Sequence, residues 1–189
     1  MIEVIIAAVI LLIVIGLPIY FYNKLTGLNN QAQADWNLIE PLLQQRLDTI
    51  PNLIAMAKRI MKQETDLFTG LAKARESAVQ AKTIGEKVKA NDAVTGILAG
   101  FYARAEAYPE LKSNQNMQQV MESLYSIEDK IKYGRQRYGY TVQDFVNACT
   151  FFPSSLFAGF FGFKQDKWPY FKAEEKAKKS INAEELLKD

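Results

Sequence analysis

The sequence contains no histidine and a single cysteine, Cys149. It therefore lacks the commonest protein metal ligand, and the only side chain that ordinarily titrates near neutral pH. Serine–histidine–aspartate and cysteine–histidine mechanisms are excluded, and a lone cysteine cannot form an intramolecular disulfide. No cofactor is predicted, and a carboxylate-only metal or acid–base site is the enzymatic possibility that these absences leave open.

The chain also has little net charge. It carries 23 Lys and Arg residues against 21 Asp and Glu residues, which gives a net charge of +2. A nucleic-acid-binding domain is normally strongly basic. We interpret the small basic and aromatic cluster of the C-terminal half as side chains that form ion pairs or contact lipid headgroups. The sequence therefore predicts no nucleic-acid partner.

A long apolar run lies close to the N-terminus. Residues 4–22 read VIIAAVILLIVIGLPIYFY and contain no charge. A helix of this length, at about 1.5 Å per residue, approaches the ~30 Å of a bilayer core, and its terminal aromatic residues suit a membrane interface. A cleaved signal peptide would have basic residues before a shorter run and small residues at a cleavage site. We therefore expect residues 1–24 to be a transmembrane anchor.

Apolar residues recur at helical spacing through the chain that follows, and no long stretch alternates as a strand would. Four such stretches begin at Leu25, Ile50, Val94 and Met117. The charged stretch 81–91 has weak periodicity and is predicted to be a connection. Short connections place neighbouring helices antiparallel. The predicted fold class is therefore all-α, with an up-and-down four-helix bundle over residues 25–150.

Two groups of residues are predicted to form helix caps or turns. The first precedes the second predicted helix, where a capping side chain is followed by proline. The second ends the third predicted helix. The residues are Asp48, Pro51 and Asn52 in the first group, and Tyr108 and Pro109 in the second.

An aromatic segment follows the fourth predicted helix, at the end of the bundle that returns to the anchor. Residues 151–163 read FFPSSLFAGFFGF, without charge, and are too few to span a bilayer. Three roles remain open for this segment: insertion into the membrane interface, capping of the bundle core, and contact between subunits. The predicted contact residues are Phe151, Phe152, Leu156, Phe157, Phe160, Phe161 and Phe163. We assign 151–171 to this membrane-proximal or interface loop and 172–189 to a charged C-terminal helix or tail.

Several strings resemble segments of the bacterial LemA family. They are YNKLTGLNNQAQADW (22–36), RLDTIPNLI (46–54), EAYPELKSNQNM (106–117) and RQRYGYTVQDFVNACTFFPSSLFAGFFGF (135–163). The resemblance implies a four-helix bundle behind one helix in the cytoplasmic membrane, with the N-terminus outside and the bundle in the cytoplasm. Lys24, the first cation after the apolar run, favours the same orientation. The family has no established activity, and relatives among magnetosome-associated proteins suggest a role in membrane organisation.

Three functions remain to be weighed. The leading hypothesis is a non-enzymatic scaffold that contacts the lipid bilayer and self-associates as a homo-oligomer. The alternative is a regulatory adaptor that binds another membrane protein, such as a protease, sensor or transporter. A carboxylate-metal enzyme comes third, because helical bundles that hold such metals normally use Glu-x-x-His motifs and the chain has no histidine.

Overall fold

The computed structural model describes residues 1–171, apart from the side chain of Lys112. Within that range it contains six α-helices and no strand, so the predicted all-α class is confirmed. The helices are α1 Ile2–Ile60, α2 Thr65–Gln80, α3 Ile84–Ala105, α4 Pro109–Ser113, α5 Gln115–Thr150 and α6 Ser154–Phe161. The charged helix expected over 172–189 lies outside the described residues.

The predicted helix boundary near residue 50 is wrong. α1 continues for 59 residues and contains Pro18, Pro41 and Pro51. Proline lacks the N–H that would bond the carbonyl four residues earlier, and this normally breaks a helix. At Pro51 that carbonyl belongs to Leu47, and Arg75 Nε of α2 donates a hydrogen bond to it at 2.8 Å. A bond from a neighbouring helix thus replaces the one that Pro51 removes, and α1 continues.

The residues predicted as caps consequently have different roles. Asp48 lies inside α1, where its carboxylate accepts a hydrogen bond from the Gln44 side chain at 2.8 Å. Pro51 and Asn52 are exposed within the same helix, so none of the three starts a helix. Tyr108 is the N-cap residue of α4, and Pro109 opens that helix.

The predicted connection over 81–91 is also mostly helical. α3 begins at Ile84, and Thr83 caps it by accepting a hydrogen bond from the Glu86 backbone N–H at 3.2 Å. The Glu86 carboxylate in turn accepts from the Thr83 backbone N–H at 3.1 Å. Backbone hydrogen bonds from Lys82 and Thr83 lower the pKa of Glu86. The Thr-x-x-Glu spacing is a helix-start signal, so this boundary was readable from the sequence.

α1 and α5 form the longest helix pair and run antiparallel. Near the anchor, Leu25 of α1 packs in one cluster with Ala148 of α5. Farther along α1, Arg46 pairs with Glu128, which lies earlier on α5. At Gly134 the two helices come close together, because a Cβ there would lie 2.9 Å from Ile39 Cγ1.

Two larger hydrophobic cores lie along this helix pair, in addition to the small cluster of Leu25 and Ala148. The proximal core, nearer the anchor, includes Trp36, Ile39, Tyr138, Phe145 and Trp168. The distal core includes Leu47, Leu53, Phe68, Phe101 and Leu124. α2 contributes only to the distal core, whereas α1, α3 and α5 contribute to both.

Candidate membrane-facing site

The N-terminal part of α1 projects beyond the packed helices. Residues 1–17 are all exposed, and the first buried side chain is that of Phe21. Among the described residues, α1 is the one helix that is long and apolar enough to cross a membrane. Its N-terminal part is therefore a candidate membrane anchor, and Tyr20, Phe21 and Tyr22 mark the level at which the packed region begins.

α6 packs against α1 at that same level. The Phe157 ring stacks on the Phe21 ring, with centroids 4.9 Å apart and planes inclined by 12°. Phe161 and Phe163 pack edge-on against Tyr22, with centroid distances of 5.0 and 6.2 Å. Three of the seven predicted contact residues therefore hold the aromatic segment onto the end of the candidate anchor.

The other four point outward. We call them the exposed apolar face: Phe151, Phe152, Leu156 and Phe160, with 64%, 80%, 64% and 83% of their surface exposed. Leu156 and Phe160 lie four residues apart on α6 and share one side, because such residues are neighbours on a helix surface. The sequence contains a signal for this separation into an exposed side and a packed side of α6. Leu156 and Phe160 are spaced i, i+4, and so are Phe157 and Phe161.

A groove of about 450 Å³ opens beside this face, where α1, α5 and the turn before α6 meet. Its apolar lining includes Phe21 and Phe152, and its polar lining includes Lys24, Asp144 and Asn147. Lys24 and Asp144 are exposed. Neither side chain has a hydrogen bond or ion pair with another described residue.

A buried polar network lies between the two cores. The Arg46 side chain is fully buried, and its Nη1 donates to Glu128 Oε1 and Thr95 Oγ1, both at 2.9 Å. Its Nη2 donates to Asn91 Oδ1 at 2.8 Å. Arginine stays protonated in proteins and offers only hydrogen-bond donors. The network is therefore better suited to holding α1, α3 and α5 in alignment than to transferring a proton.

The remaining perturbed side chains are also poorly suited to catalysis. Burial raises the pKa of the Tyr102 and Tyr138 phenols further above neutral pH, which makes the phenolate form less accessible. Burial likewise raises the pKa of the Cys149 thiol, which disfavours the reactive thiolate. No group of three or more acidic or cysteine side chains suited to a metal ion occurs among residues 1–171.

These features define an all-α protein with a candidate N-terminal membrane anchor and an aromatic segment packed at the base of that anchor. The sequence model of the LemA family matches residues 35–184, which is most of the chain, and the chain belongs to the LemA family. The matched region includes the whole of 151–163. No curated protein gives a significant match.

Proposed function

We propose that this protein is a non-enzymatic scaffold of the bacterial cytoplasmic membrane. In this proposal residues 1–24 span the bilayer with the N-terminus outside. α1, α2, α3 and α5 form an antiparallel four-helix bundle in the cytoplasm, and the protein self-associates. The observation that carries the proposal is the packing of α6 on Phe21 and Tyr22, with four apolar side chains exposed at the level where the candidate anchor ends.

The exposed apolar face supports contact with lipid. Full burial of one phenylalanine or leucine side chain contributes about 1.5–3 kcal/mol. Scaled to the exposed fractions of its four members, insertion of the face would stabilise the membrane-bound protein by roughly 4–9 kcal/mol. No charged residue lies between 151 and 163 to oppose insertion. The bundle would then stand on the membrane through two elements, the anchor and α6, which limits its tilt.

Quenching of tryptophan fluorescence by brominated acyl chains tests this seating in the full-length protein reconstituted into liposomes. The native Trp36 and Trp168 are buried and provide a weakly quenched background. We expect strong quenching in Phe160→Trp. The matched control is Tyr133→Trp, an exposed site on α5 about 27 Å before the aromatic segment, where quenching should be weak. Equal quenching at both positions would contradict the seating of α6 in lipid.

Self-association is tested separately by light scattering on the full-length protein in mild detergent. Uniform particles that contain several copies support the scaffold. Single copies across a wide range of protein concentrations contradict it, whatever the result of the quenching experiment. The two measurements therefore examine different parts of the proposal.

One observation favours the adaptor as the second candidate. A groove of about 380 Å³ lies at the far end of the molecule and is lined in part by Leu111, Met121 and Tyr125. Methionine side chains adapt readily to partner surfaces. If the adaptor function is correct, a different membrane protein should co-purify in stoichiometric amount, and Tyr125→Ser should release it while Tyr133→Ser should not. Recovery of this chain alone would leave the scaffold as the better interpretation.

A further inference from the structure

The groove beside the exposed apolar face has features of a lipid-headgroup site. It combines apolar walls with one cationic and one anionic side chain, Lys24 and Asp144, which come from different helices. We propose that it binds the headgroup of a zwitterionic phospholipid that carries a phosphate and a primary ammonium group. The proposal rests on the seating of α6 in the membrane described above.

The position of the groove selects a bilayer lipid as its occupant. Phe21 belongs to the end of the candidate anchor, while Phe151 and Phe152 belong to the exposed apolar face, and all three line the groove. If that face enters the bilayer interface, the groove opens at the depth of the headgroups. A lipid could then keep its acyl chains in the bilayer beside these rings while its headgroup occupies the groove.

The charges select the class of headgroup. Lys24 offers three N–H donors to a phosphate, and Asp144 offers acceptor oxygens to an ammonium. An anionic headgroup without an amine would satisfy Lys24 but would be repelled by Asp144. A quaternary ammonium has no N–H to donate to the carboxylate. A phosphate with a primary ammonium group is therefore the combination that both side chains favour, and the Asn147 amide adds a neutral donor and acceptor.

The size of the groove is compatible with this occupant. Its volume of about 450 Å³ lies within the roughly 300–1,000 Å³ of small-molecule sites. It is an open groove and the two charged side chains are exposed, so each contact is expected to be of surface strength. Surface ion pairs of this kind correspond to preferences of roughly two- to fivefold, and larger selectivity is not expected.

Native mass spectrometry of the full-length protein tests the proposal. The protein is equilibrated in mild detergent with equimolar phosphatidylethanolamine, phosphatidylcholine and phosphatidylglycerol. We expect one phosphatidylethanolamine to be retained roughly two- to fivefold more often than either competitor. Asp144→Asn should remove the preference over phosphatidylglycerol, and Lys24→Gln should reduce retention of all three lipids.

Two charge-matched variants serve as controls. Asp129→Asn removes an exposed carboxylate from α5 about 22 Å away, and Lys58→Gln removes an exposed cation from α1 about 50 Å away. Both should retain lipids as the unaltered protein does. Equal retention of the three lipids by the unaltered protein would overturn the proposal. It would also be overturned if Asp129→Asn changed the preference as much as Asp144→Asn.

The quenching of Phe160→Trp separates this inference from the function on which it rests. Strong quenching without a lipid preference would overturn the headgroup site and leave the seating of α6 intact. Weak quenching would overturn the seating, and the headgroup site would fail with it. Strong quenching together with a preference lost in Asp144→Asn would support both.

Discussion

The hydrogen bond between Arg75 and the Leu47 carbonyl should be strongly coupled to Pro51. Arg75→Met keeps most of the apolar length of the side chain but removes the donor, which leaves a buried backbone carbonyl unsatisfied. A hydrogen bond from a charged donor contributes about 1.5–3 kcal/mol. Arg75 is only half-buried, so we expect the free energy of unfolding to fall by about 1–2 kcal/mol.

The double variant tests the reasoning behind that value. Pro51→Ala restores a backbone N–H that can donate to Leu47 within α1, so Arg75→Met should cost little when it is combined with Pro51→Ala. Urea unfolding of the full-length protein in mild detergent, followed by far-UV circular dichroism, gives the four free energies of the cycle. Lys73→Met, at an exposed site on α2, is the control and should be nearly neutral. If Arg75→Met costs the same with and without Pro51→Ala, within about 0.5 kcal/mol, the replacement of the lost helical bond by Arg75 is refuted.

Three further predictions concern packing, the buried network and the cysteine. Gly134→Ala should destabilise the protein by about 1–3 kcal/mol because the added methyl group would crowd Ile39. Gly139→Ala, where an added Cβ would have no neighbour within 4 Å, should stabilise the protein by about 0.5–1 kcal/mol. Urea unfolding of both variants checks this, and equal changes in the free energy of unfolding would contradict it. Arg46→Met should cost about 3–5 kcal/mol in the same assay because it leaves the partner carboxylate without its cation, and a loss below about 1 kcal/mol would show that the network is dispensable. Burial raises the pKa of the Cys149 thiol, so less of the reactive thiolate is present at any given pH. Alkylation of Cys149 at pH 8 should therefore be slower than alkylation of a free thiol, and it should accelerate as the pH rises. A rate equal to that of the free thiol would contradict this.

The sequence predicts the type of secondary structure well because apolar spacing is a local property. It places the helical stretches after Leu25, Val94 and Met117 inside α1, α3 and α5. Whether the helix continues through Pro51 is not a local property. It depends on the side chain of Arg75 in α2, which lies 28 residues away from Leu47 in the sequence. A rule that reads proline as a helix boundary therefore fails where a tertiary contact supplies the missing bond.

The candidate site was only partly predictable. An uncharged run of phenylalanines is evident in the sequence, and so is an apolar N-terminal stretch. That Phe157 and Phe161 would meet Phe21 and Tyr22 depends on the antiparallel pairing of α1 with α5, which hydropathy does not specify. The groove that Lys24 and Asp144 both line depends on the same pairing, and no pattern in either segment indicates it.

If residues 1–24 span a bilayer as proposed, the continuity of α1 fixes the height of its far end above the membrane. From Phe21 to Ile60 the helix rises about 60 Å, with no linker in which the two ends could move independently. In that proposal the groove near Met121 and Tyr125 would be held at a set distance from the bilayer, whereas a flexible linker would let that distance vary. A partner bound there would be held several tens of ångströms from the lipid. It could contact structures at that distance but not structures at the membrane surface.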